Sequence, residues 1–174
     1  MIKVNIGCGK TFFGNDWVHI DGKNFEHVSS NDIYLKNFDN SSIDIIYSSH
    51  FIEYFDREEI IDLFSKWYSK LKKGGKIYLS VPDFRTISKL YLEDNIPLHK
   101  FLGPMYGKIE LNKKTIYHKT IYDYSSLGEL LRFIGFKRID IWNHRNIPFD
   151  VDNDCSLAII NNKLISLNIV AEKL

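Results

Sequence analysis

Gly7-Cys8-Gly9 closes a short apolar stretch, and Asp21 closes the next one. A residue without a Cβ lets the backbone turn at positive φ and lets a ligand lie against it. A bare strand-to-turn connection would use the same residues. The spacing excludes two common phosphate-binding forms. In G-x-G-x-x-G the third glycine would fall at Phe12, with Gly14 two residues late, and no G-K-[ST] follows at P-loop spacing. Nor is there room for a full helix whose N-terminus could receive a pyrophosphate. The pattern points to a nucleoside-like ligand without a diphosphate. A carboxylate at a strand end accepts from both ribose hydroxyls in charge-assisted bonds, and Asp21 is placed for that role. Asp21-Gly22 is also a turn sequence in its own right.

Two histidines are candidate bases, His50 after an apolar run and His118 in an irregular stretch. An imidazole titrates near neutrality and can take a hydroxyl proton. The alternatives are a packed side chain for His50 and a solvated loop residue for His118. Asp83 either meets a substrate or caps the helix after it. Glu53 fixes a loop. Cys8 is either a nucleophile or a small residue under the ligand. The six histidines, at 19, 27, 50, 99, 118 and 144, show no metal-ligand spacing, so no metal is expected. Without a G-x-S-x-G elbow, hydrolase chemistry lacks support.

The elements that position these residues follow from periodicity. Ile2, Val4 and Ile6 alternate with polar residues as in a strand, and 17–20 is a second strand. Only KTFFGND separates the glycines from that strand, so the first crossover is shortened. Residues 43–47 are the best strand, and a weaker one is expected at 32–35. Residues 56–73 form the clearest helix, with Asp56 and Glu59 as a capping box, lysines in the last turn and Gly74-Gly75 as its end. A strand at 76–81 stops at Pro82, and a helix covers 86–95. Segment 97–122 reads as an irregular lid or insertion. A helix over 125–136, with Ser126 and Glu129 as capping box and Gly135 as its stop, leads to a strand at 137–142. Residues 155–162 are a short helix or a hairpin arm, and the tail is a last strand. This is the α/β order of a mostly parallel sheet. Four strand ends, at Gly7–Gly9, Asp21, Ser48–His50 and Pro82–Asp83, would meet in one crevice.

Composition sets outer bounds. The 174 residues carry a net charge of +1, which argues against a strongly basic nucleic-acid binder. Two isolated cysteines read as free thiols in a reducing compartment. With no apolar run long enough for a membrane and no basic-then-apolar leader pattern, a cytoplasmic protein is expected. One domain over 1–174 is the simplest organisation. Aromatic residues, at 14%, either fill the core or line a groove.

VNIGCGK…WVHID resembles the first two motifs of class I S-adenosylmethionine-dependent methyltransferases. NDIYLKNFDNSSIDIIYSSHFIEYF is similar to the family's acidic third segment and fourth strand. WYSKLKKGGKIYLSVPDF is similar to its L-K-P-G-G turn and fifth strand, with Lys73 in the proline position. A late histidine and a GF helix end complete the order. The nearest match is a small bacterial subgroup of predicted methyltransferases, type 11-like, whose first crossover is also short. Two positions depart: Asn5 stands where the wider superfamily often has an acid, and Tyr54 where the subgroup often has histidine.

The resemblance implies a doubly wound α/β fold with a mostly parallel, seven-stranded Rossmann-like sheet. It implies S-adenosylmethionine as cofactor. Asn5, Gly7, Cys8 and Gly9 would lie by its methionine part, Asp21 by the ribose, Asp32 and Ile33 by the adenine, and Ser48, Ser49 and His50 beneath the sulfonium. His50 or His118 would serve as base, with Asp83, Tyr106 and His118 toward the acceptor. The acceptor would be a small molecule or a sugar hydroxyl, with surface polysaccharide synthesis as the family context. DNA amino groups are disfavoured because SSHF replaces the Asn/Asp-Pro-Pro-aromatic run. A non-catalytic nucleoside-binding domain and a nicotinamide-dependent oxidoreductase are the rival readings.

Overall fold

A computed structural model describes residues 1–151 and 154–174. Alternation of apolar residues produces β1 (Lys3–Ile6), which pairs in parallel with β2 (Trp17–Ile20) on one side and with β3 (Ile43–Ser49) on the other. Helix α1 (Glu59–Lys70) then crosses to β4 (Leu71–Pro82), again parallel to β3. Helix α2 (Phe84–Leu92) follows β4, and α3 (Leu102–Tyr106), β5 (Ile109–Leu111) and β6 (Lys114–Ile116) make up much of segment 97–122. Helix α4 (Tyr124–Ile134) leads to β7 (Lys137–Ile141), and β8 (Ile159–Ile160) with β9 (Lys163–Leu164) forms a small hairpin before β10 (Ser166–Glu172). The main sheet runs β2-β1-β3-β4-β10-β7, with β10 antiparallel to both neighbours.

The sheet therefore has six strands rather than seven. The strand expected at 32–35 is a chain of turns, and only a single bridge from Ser30 to Ile20 remains beside β2. The reason is local: Ser30 Oγ accepts the Asp32 N–H and the Asp32 carboxylate accepts the Lys36 N–H, offering the backbone an alternative to the ladder. Leu35, at φ 57°, still drops its side chain into the core.

One sheet face buries Val4, Ile6, Ile46 and Leu79 under α1 and α4, through Phe64, Trp67, Leu127 and Leu131. The other face is covered by loop rather than helix. There Trp17, Tyr47, Tyr78 and Trp142 pack with Phe13 and Phe149, so much of the aromatic content is core.

Two helix ends differ from the sequence expectation. Asp56 and Glu59 do exchange capping-box bonds. However, α1 stops at Lys70, and Gly74-Gly75 lies inside β4. The Lys173 ammonium donates to the carbonyls of Tyr68 and Leu71 at 2.8 and 2.7 Å, closing the helix from a distant residue. The capping box of α4 is Asp123 with Ser126, not Ser126 with Glu129, and left-handed Gly135 ends that helix as expected. Among the described residues, no helix is long and apolar enough to cross a membrane.

Candidate active site

The carboxyl ends of β1, β2 and β3 open into a cleft of about 920 Å³, roofed by segment 97–122. That volume suits a nucleoside-sized ligand with space for an acceptor.

The glycine turn is its floor. Gly7 and Gly9 take φ of 71° and 53°. The Ile20 carbonyl accepts the Gly7 and Cys8 N–H groups at 2.8 and 3.3 Å. One Asp21 oxygen accepts the Gly9 N–H and the other the Lys23 N–H, each at 2.8 Å. Asp21 thus shapes the turn itself, and each oxygen keeps a lone pair for a ligand. From the other side His27 Nε2 donates to the Gly9 carbonyl at 3.1 Å, while its ring stacks on Phe25. His19 Nε2 accepts the Phe13 N–H at 3.0 Å and holds the loop beyond. Burial, with Asp21 nearby, pushes the Cys8 thiol up to about 12, so Cys8 is a neutral spacer and not a nucleophile.

Of the residues implicated by sequence, Asn5, Gly7, Cys8, Gly9, Asp21, Ile33, Ser49, His50 and His118 line the cleft. Four do not. Asp32 caps the turn at Lys36 and faces a separate shallow hollow. Ser48 is buried and donates to the Ile6 carbonyl at 2.9 Å, tying β3 to β1. Asp83 accepts from the Arg85 N–H and the Thr86 hydroxyl as the N-cap of α2. Tyr106 is exposed at the end of α3. Asn31, beside Ile33, lines the cleft where Asp32 was expected. The Ile33 carbonyl is fixed by Trp67 Nε1 at 2.7 Å, so α1 sets the position of this wall.

The two histidines differ in which ring nitrogen they leave free. Ser166 Oγ donates to the Cys155 carbonyl at 2.7 Å, so it must accept from His50 Nε2, 2.9 Å away. With Nε2 protonated, His50 Nδ1 carries the lone pair and faces Glu53 at 3.6 Å without a hydrogen bond to it. His50 also sits at φ 49°, a backbone state costing on the order of 1–3 kcal/mol that marks the strand end as constrained. Burial lowers it to about 4, so it is neutral at physiological pH. His118 Nδ1 lies 3.2 Å from the Pro104 carbonyl, which can only accept, so the proton is on Nδ1 and the lone pair on Nε2. Tyr54 packs edge-on against this ring, with centroids 4.6 Å apart. Burial lowers the His118 pKa, so its base form persists through neutrality.

Glu53 lies between them. Its carboxylate is 1% exposed, 3.6 Å from His50 Nδ1 and 3.8 Å from His118 Nε2, with no hydrogen-bond partner for either oxygen among the described residues. Burial pushes its carboxyl up to about 8, so it is an uncharged acid at neutral pH. More than a loop anchor, it is the group that faces both imidazoles. The one sequence signal was its spacing of three from His50 within an apolar run.

Segment 97–122 contains α3 and the β5–β6 hairpin. Asn112 and Lys113, at φ 51° and 64°, form a two-residue turn joining β5 to β6. The hairpin reaches across to the glycine end, where Leu111 lies against Gly22. Gly107 packs its backbone on the His118 ring so closely that a Cβ there would overlap it.

No family model matches the chain, and no curated protein does. Solved structures do match over nearly its whole length. A methyltransferase from Methanosarcina mazei has a TM-score of 0.61 at 17% identity, covering 99% of this chain and 92% of that one. One from Archaeoglobus fulgidus has a TM-score of 0.57 at 17% identity, covering 98% and 85%. Both are named S-adenosylmethionine-dependent. The DhpI–SAH complex has a TM-score of 0.59 at 9% identity, covering 98% and 76%. The chain thus has the fold of the S-adenosylmethionine-dependent methyltransferases.

Proposed function

We propose that this protein is an S-adenosylmethionine-dependent methyltransferase that acts on a hydroxyl of a small molecule or sugar. The observation that carries this reading is one cleft holding both the turn clamped by Asp21 and the free Nε2 of His118. The fold supports it, since two neighbours are named for this cofactor and a third is a complex with its demethylated product. The residues fit the cofactor. The space above Gly9 is open, Asp21 has lone pairs to spare, and buried Asn5 offers at the cleft wall an Nδ2 that has no partner among the described residues.

A bound cofactor supplies an activated sulfonium methyl. The protein then has to hold donor and acceptor in line, which is worth roughly 7–11 kcal/mol of a barrier. Phe51, Phe25 and Ile33 provide the apolar walls. Asp21 holds the ribose hydroxyls. His118 takes the acceptor's hydroxyl proton on Nε2, with Nδ1 held by Pro104. The positive charge arriving on His118 is met at 3.8 Å by Glu53, which then ionises more readily. An amine or thiol acceptor would have less need of this arrangement, and that favours an oxygen.

Incubation with methyl-labelled cofactor and a panel of nucleotide sugars, glycans and phenols tests the reading. Label is expected in an O-methyl product. Cofactor binding with no transfer to any class would favour the non-catalytic binding domain instead.

A further inference from the structure

The amino-acid end of such a cofactor carries an ammonium and a carboxylate, and the cleft has to meet both. Among the described residues three carboxylates line it: Asp21, Glu59 and Asp154. Asp21 is committed to the turn and the ribose. Glu59 is neutralised by Lys119 Nζ at 2.8 Å. Asp154 has only neutral partners: one oxygen accepts the Tyr47 hydroxyl, and the other accepts the Ser156 N–H at 2.8 Å and the Ser156 hydroxyl. Like Asp21 it meets no cation among the described residues, but it is not spent on the glycine turn.

Its place is set by the sheet. Tyr47 in β3 lies opposite Asn5 in β1, one strand spacing of about 4.8 Å away, and the two side chains share a face. Asn5 runs directly into the glycine turn, and Phe13, just beyond that turn, packs on the Tyr47 ring at 5.0 Å. The Tyr47–Asp154 bond brings a carboxylate from the far end of the chain into the cleft that Asn5 and the turn also line. There Asn5, 1% exposed, has a buried Nδ2 with no partner among the described residues. An unpaired donor and an unneutralised acceptor lining one cleft match the two charges of an α-amino acid.

Building on the proposed function, we propose that Asp154 is the anionic partner of the cofactor's α-ammonium, with Asn5 Nδ2 donating to its α-carboxylate. Asn5 brings no charge of its own, and the distant Asp154 supplies it.

The test is calorimetric titration of wild type and Asp154→Asn with two ligands. S-adenosylhomocysteine carries the amino-acid end, and 5′-methylthioadenosine lacks it. Asparagine Oδ1 still accepts the Ser156 N–H and its amide can donate to the Tyr47 hydroxyl oxygen, so both contacts are kept. The variant is expected to bind S-adenosylhomocysteine 10–100-fold more weakly and methylthioadenosine within twofold of wild type. Equal weakening of both ligands, or of neither, overturns the assignment while leaving the cofactor reading intact. Wild type binding neither ligand overturns both. A second comparison needs no variant: wild type should bind the deaminated analogue of S-adenosylhomocysteine at least tenfold more weakly than the parent, and equal affinity counts against Asp154.

Discussion

Replacing Glu53 by glutamine should make the protein more stable above neutral pH. Glutamine keeps the shape and removes the titration. In the folded protein burial raises the Glu53 carboxyl from its ordinary 4.5 to about 8. A group whose folded pKa is raised contributes stability that is fully present below the unfolded value and is lost as pH rises through the folded one. The loss runs at about 1.4 kcal/mol per pH unit across that window. Relative to Glu53→Gln, wild type should lose roughly 3 kcal/mol between about pH 5.5 and 7.5, and roughly 3–5 kcal/mol in all by about pH 9. His50, His118, Tyr54, Tyr122 and Cys155 face or surround the carboxyl, and all five are retained in the variant. The lowered pKa values of His50 and His118 act on the acid side, below the ordinary imidazole value of 6.5, and affect both proteins. Urea denaturation across a pH series measures the difference directly. If Glu53 is instead ionised against a protonated His118, the variant will be the less stable protein at neutral pH, and the reasoning is refuted.

Three further outcomes follow from the same geometry. Asp21→Ala should weaken S-adenosylhomocysteine binding by about 1.5–3 kcal/mol in calorimetry, the range for a hydrogen bond to a charged group, and an unchanged affinity would remove Asp21 from the site. Gly7→Ala should destabilise the fold by roughly 1–3 kcal/mol, because its φ is 71° and the new Cβ would meet the Phe51 side chain; an unchanged urea midpoint would show that the turn is not constrained as described. His118→Gln should slow transfer to an identified hydroxyl acceptor by about 10²–10⁴-fold while leaving S-adenosylhomocysteine affinity within twofold, and a full rate in the variant would assign the proton to another base.

The parts of this molecule legible in the sequence are those that local rules decide. Ile2, Val4 and Ile6 alternate because β1 buries one face, the glycines stop it, and the periodicity of Ile60, Phe64 and Trp67 reports the buried side of α1. Asp21 and the two histidines could be singled out because their chemistry follows from residue type and from position at a strand end. The remainder depends on contacts made across the chain. Lys173 ends α1, and no window around Lys70 contains it. Asp154 reaches Tyr47 from 107 residues away, within a run of polar residues that reads as solvated loop. Glu53 becomes an uncharged acid only because segments distant in sequence bury it. The strand expected at 32–35 is absent because the Ser30 and Asp32 side chains turn the backbone, although Ile33 and Tyr34 favour a strand. The Asn112-Lys113 and Asn161-Asn162 turns, at positive φ, carry a local signal in their asparagines.

Calorimetric titration of the wild-type protein with S-adenosylhomocysteine and with NAD tests most directly whether the cleft is built for an adenosyl sulfonium cofactor. Saturable binding of S-adenosylhomocysteine at one site per chain, with no heat from NAD, is the expected result. Binding of NAD with no response to S-adenosylhomocysteine would contradict it.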